Sequence, residues 1–278
     1  FDPWDHGPLF GRPAGDATLG GVVAAGVAGP RRLSAGGARD HLLGFTAVSG
    51  KGDRFVAGGK VVKNVTGFDI AKLMAGSWGR LAAMTEVTVK VLPRPRVSAT
   101  LAADRLTAAL ARTLMLGALG GSSSVAAAAH LPAAAHDGDA ITLLRLEGFG
   151  PSVEARAQAL AREHGGMLER LTDDRAAALW ARVRCPAHLS GRTLWRAQLP
   201  ALASASLVEE LEPQGAQCLI DWGGSLLWIG WDGPPDDVRA RLPFQHPRAS
   251  AVMTLEARVR AAFDPDGVFE TGRFGEAG

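Results

Sequence analysis

The stretch GDATLGGVVAAGVAGPRR, residues 15–32, has an unusual composition. It consists almost wholly of glycine, alanine, valine and leucine, and it ends in a proline followed by two arginines. Three structures are compatible with this composition: a flexible tail, a short buried helix, or a surface whose small side chains let a large group lie against the backbone. Within it, the run LGGVVAAGV (19–27) predicts a short tight helix or a turn.

The bulk composition favours a globular protein with a sizeable core. The chain has 278 residues, of which 47% are hydrophobic, enough for one large domain or two modest ones. Its 35 glycines concentrate in residues 7–80, which indicates positive φ angles or a close approach to the backbone there. The formal charge is only +2, and no basic run alternates with aromatic residues, so nucleic acid is not expected as a main partner.

The residues that most often carry metal or redox chemistry are sparse. Cys185 and Cys218 lie far apart and form no metal or cluster motif, which is typical of a reduced cytosolic chain. None of the seven histidines has metal-ligand spacing, and tyrosine is absent, so neither a metal site nor a catalytic residue is assigned. No apolar run reaches the ~18 residues of a membrane span. The chain begins with Phe1 rather than Met, and we expect the natural protein to have a preceding part.

The first third of the chain predicts a small sheet and a helix. Residues 40–59 read as two strands joined by a turn, and residues 81–95 alternate as a strand. Between them, residues 60–79 predict a helix that Asp69 caps and Gly76 ends. The apolar residues predicted to share one face of this helix are Phe68, Ile70, Leu73 and Met74.

After Pro95 the glycine content falls and alanine-rich helices alternate with strands. This pattern predicts an α+β layer with helices on one sheet face, and a domain boundary near residues 95–97. Residues 130–140 read as a flexible hairpin. The helices are predicted at 104–118, 152–164, 173–184, 200–211 and 251–263, and the strands at 96–103, 122–131, 139–148, 192–200, 216–223 and 225–231.

Four segments occur in the same order as in a known family. They are ATLGGVVAAGVAGPRR (17–32), ARDHLLG (38–44), KNVTGFDIAKLMAGSWGRLAAMTEVTVKVLPRP (63–95) and FDPDGVFETGRF (263–274). In these segments the chain resembles FAD-linked oxidases of the vanillyl-alcohol-oxidase or p-cresol-methylhydroxylase (PCMH) type. GRTLWRAQLP (191–200) and LIDWGGSLLWIGW (219–231) are similar to the FAD-binding subunits of bacterial glycolate oxidases.

The resemblance implies an α+β chain with two domains. Residues 1–96 would form the second subdomain of a PCMH-type FAD-binding domain, without its N-terminal part. Residues 97–278 would form an FAD-linked oxidase C-terminal domain, an antiparallel sheet covered by helices. In the family, the N-terminal subdomain brings a Pro-Gly-Gly-type loop to the FAD pyrophosphate, and no such loop precedes Thr18 in this sequence.

The resemblance also assigns the cofactor-binding residues. Residues 18–21 match a Thr-x-Gly-Gly segment, residues 25–29 continue its small-residue surface, and residues 78–84 match the segment at the adenine–ribose end of FAD. From the residues alone, a tight helix–sheet contact explains the glycines equally, and residues 78–84 are also typical of a core strand. The assigned FAD contacts are Thr18, Leu19, Gly20, Gly21, Ala25, Gly26, Val27, Ala28, Gly29, Trp78, Gly79, Arg80, Leu81, Ala83 and Met84.

Other charged or matched positions have open or structural interpretations. Arg31 and Arg32 could pair with a phosphate or carboxylate, or form a solvated surface pair. Asp40 is interpreted as structural, holding its loop by accepting backbone N–H groups. A Lys-Asn-x-x-Gly-Tyr-Asp segment of the family is matched by Lys63, Asn64, Gly67, Phe68 and Asp69, with phenylalanine in place of tyrosine.

The function that the resemblance implies is that of an FAD-dependent oxidoreductase subunit in a glycolate oxidase complex. The complex would oxidise glycolate, a 2-hydroxy acid, to glyoxylate, and the catalytic centre could lie on a partner subunit. The implied partners are a second FAD-linked subunit and an iron–sulfur subunit, in the cytoplasm or peripherally at the inner membrane through the complex. The alternative is a non-catalytic scaffold subunit that keeps the flavoprotein fold without flavin.

Overall fold

The structure is a computed structural model, and it describes residues 4–5, 7–61, 68–136, 138–189, 192–242 and 250–270. The described strands form two sheets, of three and seven strands. The smaller sheet contains β1 (Leu42–Ser49), β2 (Arg54–Gly58) and β3 (Ala82–Val89) in the order β2-β1-β3, all antiparallel. The predicted hairpin at 40–59 and the strand within 81–95 are therefore confirmed.

Four short helices accompany the smaller sheet. They are α1 (Leu19–Ala25), α2 (Arg32–Ala35), α3 (Ala38–His41) and α4 (Ile70–Met74). Helix α1 confirms the helical interpretation of 19–27. It begins because the Thr18 hydroxyl oxygen accepts a hydrogen bond from the Gly21 N–H at 3.0 Å, and it ends because Gly26 takes a left-handed φ of 65°.

Helix α4 is shorter than the sequence predicted. Asp69 caps it by accepting from the Lys72 N–H, as predicted, but Ala75 rather than Gly76 is the residue at its C-terminal end. Met74 is fully buried, whereas Phe68 is 95% exposed, so the prediction of a shared apolar face is wrong. The reason is that the helix begins at Ile70, which leaves Phe68 outside its 3.6-residue period. Residues 62–67, including the matched Lys63, Asn64 and Gly67, lie outside the described residues.

The larger sheet is antiparallel and is buried on both faces. Its strands are β4 (Val97–Asp104), β5 (Ala127–Leu131), β6 (Ile141–Gly148), β7 (Glu169–Arg170), β8 (Thr193–Gln198), β9 (Gln217–Asp221) and β10 (Leu226–Trp231), in the order β7-β4-β6-β5-β9-β10-β8. Successive residues of a strand point to opposite faces. On β10, Leu227 and Ile229 therefore pack in one apolar cluster, and Leu226 and Trp228 pack in another.

Six α-helices of the described residues follow β4 in the chain, and five of them cover the two faces of the larger sheet. They are α5 (Ala108–Gly120), α6 (Gly150–Glu163), α7 (Asp173–Arg184), α8 (Ala201–Leu211), α9 (Pro235–Arg241) and α10 (Ser250–Phe263). Helices α5, α6, α8 and α9 pack on one face. The other face is covered by α7, by Trp4 and Leu9, and by residues 25–28. The predicted sheet with helices is confirmed, but α7 covers its second face, so the prediction of helices on one face is wrong. Strand β7 and helix α9 were not predicted.

The C-terminal helix returns to the smaller sheet. The Gly50 N–H donates to the Phe263 carbonyl oxygen at 2.9 Å, and the rings of Phe55 and Phe263 lie 5.8 Å apart. Residues before and after 95–97 therefore contact each other at both sheets. The domain boundary predicted at residues 95–97 stays a prediction. None of the helices in the described part of the chain combines the length and apolar character that crossing a membrane requires.

Candidate functional site

The two segments matched to FAD contacts lie together in the structure. The Gly76 N–H donates to the Val23 carbonyl oxygen at 3.1 Å, and the Trp78 N–H donates to the Ala24 carbonyl oxygen at 2.8 Å. A Cβ added at Gly26 would lie 2.7 Å from the Gly76 Cα, so only glycine allows this approach. The C-terminal end of α1 is therefore joined to the turn that leads into β3.

Part of the matched set is exposed and has space above its backbone. Thr18, Leu19, Gly21, Trp78 and Ala83 are exposed, and we call these five residues the cradle surface. A Cβ added at Gly21 would meet only the Thr18 hydroxyl oxygen within 4 Å. A flat group can thus approach this backbone more closely than it could if a branched side chain stood there. The neighbouring Gly79 has a φ of 74° and equally open space.

The rest of the matched set is covered by protein to different degrees. The Gly29 carbonyl oxygen accepts a hydrogen bond from Trp222 Nε1 at 3.0 Å, and the Trp4 ring lies 3.5 Å from the position of a Gly29 Cβ. The structure gives the buried members a packing role, and cofactor contact by them stays a prediction. The buried members are Ala25, Val27, Ala28, Gly29 and Leu81, and the half-buried ones are Gly20, Gly26, Gly79, Arg80 and Met84.

The arginines after the small-residue segment have protein partners. Arg31 donates from Nε and Nη2 to Glu147 Oε2 on β6, at 2.9 and 2.8 Å. The interpretation of Arg31 as a solvated surface residue is therefore wrong, because its carboxylate partner belongs to the protein. Arg32 lies 3.9 Å from the Asp40 carboxylate. The structural interpretation of Asp40 is confirmed, since Asp40 accepts the Gly37 N–H at 2.8 Å and this bond lowers its pKa.

Two ionisable groups that the sequence did not single out lie on the face of the larger sheet toward residues 25–28. Asp221 on β9 is fully buried, and burial raises its pKa to about 7. Burial also lowers the pKa of Arg196 on β8 to about 10, so this guanidinium stays charged at neutral pH. A signal was present in the sequence: the strand TLWRAQ carries a charged residue at its centre, between tryptophan and alanine.

The described ranges contain no cluster of metal-ligating side chains. They contain no group of three or more histidine, cysteine or acidic side chains able to hold a metal ion. His130 is buried, its Nδ1 lies 2.9 Å from the Thr142 hydroxyl, and burial lowers its pKa to about 4. It is therefore a neutral core residue at physiological pH. Cys185 and Cys218 are both free.

Comparison with curated proteins gives one relative that spans nearly the whole chain. The glycolate oxidase subunit GlcE of Escherichia coli is 33% identical to it, over 93% of this chain and 72% of that subunit. The chain belongs to the family of the glycolate oxidase subunit GlcE. Other relatives match a smaller part of the chain. The glycolate oxidase subunit GlcD of Bacillus subtilis is 34% identical over 54% of this chain and 31% of that protein. A D-lactate dehydrogenase of Archaeoglobus fulgidus is 38% identical over 29% of this chain and 18% of that enzyme.

Solved structures agree at the level of the fold. Two crystal forms of alkyldihydroxyacetonephosphate synthase match with TM-scores of 0.61 and 0.60 at 13% identity. Each match covers 90% of this chain and 57% of the synthase chain, so this chain spans little more than half of that protein. The predicted fold of a PCMH-type FAD-linked oxidase is confirmed. No protein-family model matches the chain.

Proposed function

We propose that the chain is the FAD-binding subunit of a glycolate oxidase complex. The observation that carries the proposal is the 33% identity to GlcE over 93% of the chain. The assembly oxidises glycolate to glyoxylate, and electrons pass to a second FAD-linked subunit and an iron–sulfur subunit. It works in the cytoplasm or peripherally at the inner membrane through the complex. No residue of this chain is assigned to the chemical step.

The geometry of the cradle surface supports a flavin. Bound FAD would supply the redox chemistry, since it accepts a pair of electrons from an alcohol carbon. The chain would supply backbone that the cofactor can approach at Gly21, where a Cβ would meet only the Thr18 hydroxyl oxygen, and at Gly79, where a Cβ would meet nothing within 4 Å. The Trp78 ring, 39% exposed, adds an apolar wall next to that backbone. Such a mostly apolar surface with few polar groups is typical of cofactor sites.

The alternative function is a scaffold subunit that keeps this fold without flavin. The burial of residues 27–29 favours it, because Trp4 and Trp222 already cover the Gly29 backbone. The Gly21 N–H is also already bonded to Thr18, so that donor is not free for a phosphate. In this case the complex would use the chain for its shape and its partner contacts.

A matched pair of variants tests flavin binding. The chain is incubated with FAD and desalted, and the visible absorbance of retained flavin is measured for the parent protein, Gly21→Val and Gly117→Val. Both glycines are exposed helical positions, but Gly117 lies in α5, far along the chain from the cradle surface. We expect Gly21→Val to lose most of the retained flavin, because the valine side chain stands where the cofactor must approach.

The control defines how the result is interpreted. Gly117→Val should keep the flavin content of the parent, since it places the same β-branched side chain in a helix away from the cradle surface. Circular dichroism of both variants checks that each is folded. Equal flavin in parent and Gly21→Val would contradict the contact at Gly21. A parent protein that stays colourless, both alone and in the assembled complex, would support the scaffold.

A further inference from the structure

Two arginines, Arg32 and Arg196, stack on two tryptophans where the small-residue segment contacts the larger sheet. The Cζ of Arg196 lies 5.1 Å from the ring centroid of Trp222 and 5.5 Å from that of Trp228. The Cζ of Arg32 lies 5.4 Å from the same Trp222 ring. We call these four residues the arginine–tryptophan cluster. Indole faces attract cations, so the cluster concentrates positive charge on this face of the larger sheet.

One edge of the Arg196 guanidinium has no hydrogen-bond acceptor in the described part of the chain. Its Nε and Nη2 atoms are both buried, and neither has a hydrogen-bond partner among the described residues. These two donors point the same way from one edge of the guanidinium, the edge that makes two parallel hydrogen bonds to a carboxylate. Ring stacking stabilises the flat faces of the group, but it leaves the edge donors unsatisfied, which is costly in a buried site.

The protein supplies only a partial counter-charge to Arg196. Asp221 is the acid whose charge acts on it, but Asp221 Oδ1 accepts the Trp222 N–H at 2.7 Å, and burial raises its pKa to about 7. At neutral pH this carboxyl group is therefore protonated in a large share of molecules. Among the described residues, no carboxylate forms an ion pair with Arg196. A buried charge without a partner is strongly unfavourable, and a bound anion would offset that cost.

We propose that Arg196 binds the carboxylate of a small organic acid through its Nε and Nη2 atoms, with Trp222 and Trp228 as the walls of the site. A carboxylate presents two oxygens in one plane, which matches the guanidinium edge. Arg32 adds a second positive charge from the other chain segment that contacts Trp222. The choice of glycolate as the acid rests on the proposed function, whereas the carboxylate class rests on the geometry alone.

A surface cleft borders this cluster at Trp222. A cavity of about 340 Å³ is lined by Gln198, Pro200, Trp222 and Ser225, among others. Trp222 lines the cleft and also stacks on Arg196, so a ligand that enters the cleft meets the indole that covers the guanidinium. The indole N–H of Trp222 donates to the Gly29 carbonyl oxygen, which ties this wall to the small-residue segment.

The test titrates the full chain with glycolate and follows tryptophan fluorescence, because two tryptophans form the site. Acetate and inorganic phosphate, at matched ionic strength, distinguish a carboxylate site from a general anion site. We expect a saturable change with glycolate, a smaller or absent one with phosphate, and an affinity about tenfold or more lower in Arg196→Gln. The matched control is Arg239→Gln, whose guanidinium also stacks on a tryptophan, 5.8 Å from the Trp195 ring, but pairs with Asp236. It should bind glycolate as the parent does.

The outcomes separate this inference from the cofactor proposal. No saturable response to glycolate or acetate in the parent, an equal response to phosphate, or unchanged affinity in Arg196→Gln each overturns the carboxylate site. If circular dichroism shows that Arg196→Gln is unfolded, Arg196→Lys decides: it keeps the charge but loses the two-donor edge, so unchanged affinity overturns the site. Flavin absorbance is recorded on the same samples. If the chain is colourless but binds glycolate, the carboxylate site is supported and the FAD-binding proposal is contradicted.

Discussion

Asp221 shows how one buried residue makes stability depend on pH. Its folded-state pKa of about 7 lies above the ordinary value of 3.8, because desolvation outweighs the effects of Arg196 and Arg145. The folded state therefore holds a proton that the unfolded chain releases. The stabilising effect of this group is complete below about pH 4, and it is lost as the pH rises through about 7.

Replacing Asp221 with asparagine should flatten this pH dependence. The asparagine side-chain oxygen can still accept the Trp222 N–H, and the amide does not titrate. We expect the melting temperature to fall by several degrees less than in the parent between about pH 4 and pH 7, measured by circular dichroism. Glu212, whose pKa burial also raises to about 7, keeps a residual slope in both proteins.

An exposed carboxylate provides the control for that experiment. Asp236→Asn changes a side chain that is 85% exposed and pairs with its helical neighbour Arg239. Its pH profile should follow the parent. A profile of Asp221→Asn as steep as that of the parent would show that Asp221 is charged in the folded protein at low pH, and it would remove the reason for treating it as a partial counter-charge to Arg196.

At the scale of elements, the contact between α1 and the turn at 76–78 depends on Gly26. This residue has a φ of 65°, and a Cβ there would lie 2.7 Å from the Gly76 Cα and 2.9 Å from its nitrogen. Alanine at this position therefore meets backbone, which cannot rotate away. We expect Gly26→Ala to lower the free energy of unfolding by about 2–4 kcal/mol, as the sum of left-handed strain and overpacking, measured by urea unfolding.

Gly52 separates the two contributions. It lies in the β1–β2 turn with a φ of 83°, and a Cβ there would meet nothing within 4 Å. Gly52→Ala should cost only the strain of the left-handed conformation, about 1 kcal/mol. If the two variants lose the same stability, the close approach of α1 to the turn does not contribute, and the glycine is needed at residue 26 for its φ alone.

Elements with a regular period were the part of the fold that the sequence could predict. The valine alternation of 81–95 became β3, and the alanine-rich stretch at 173–184 became α7 with the predicted bounds. Short elements were harder, because a five-residue helix such as α4 contains too few turns to establish a period. The two-residue strand β7 carries no periodic signal at all.

The candidate site was predictable only in part, for a reason of tertiary packing. The sequence identified residues 18–29 as a surface of small side chains, but it could not show that Trp4 and Trp222, distant in the chain, cover its last three residues. The sequence did not indicate Arg196 because its role depends on the two tryptophan rings that the fold places against it. A single arginine in a strand is ordinary, whereas one stacked between indoles from β10 and the turn before it is not.

At the scale of the whole molecule, contacts from residues 23–31 join the two sheets. Residues 25, 27 and 28 pack into the apolar cluster of the larger sheet, while Val23 of the same α1 segment packs into that of the smaller sheet. The ion pair between Arg31 and Glu147 lies at the same junction and is mostly buried, with side chains 25% and 12% exposed. The contacts of this segment therefore couple the stability of two sheets that the sequence alone assigned to separate domains.

Removing the Arg31 side chain should weaken that junction measurably. Arg31→Ala leaves the mostly buried Glu147 carboxylate with only the longer 3.8 Å contact to Arg145. We expect a loss of about 2 kcal/mol in urea unfolding, less than for a fully buried pair because Arg31 keeps some exposure. Arg170→Ala, which removes the exposed pair with Glu154, is the control and should leave the midpoint nearly unchanged. An equal loss in both variants would mean that the Arg31 pair acts as an ordinary surface contact, and that apolar packing of residues 25–28 alone joins the sheets.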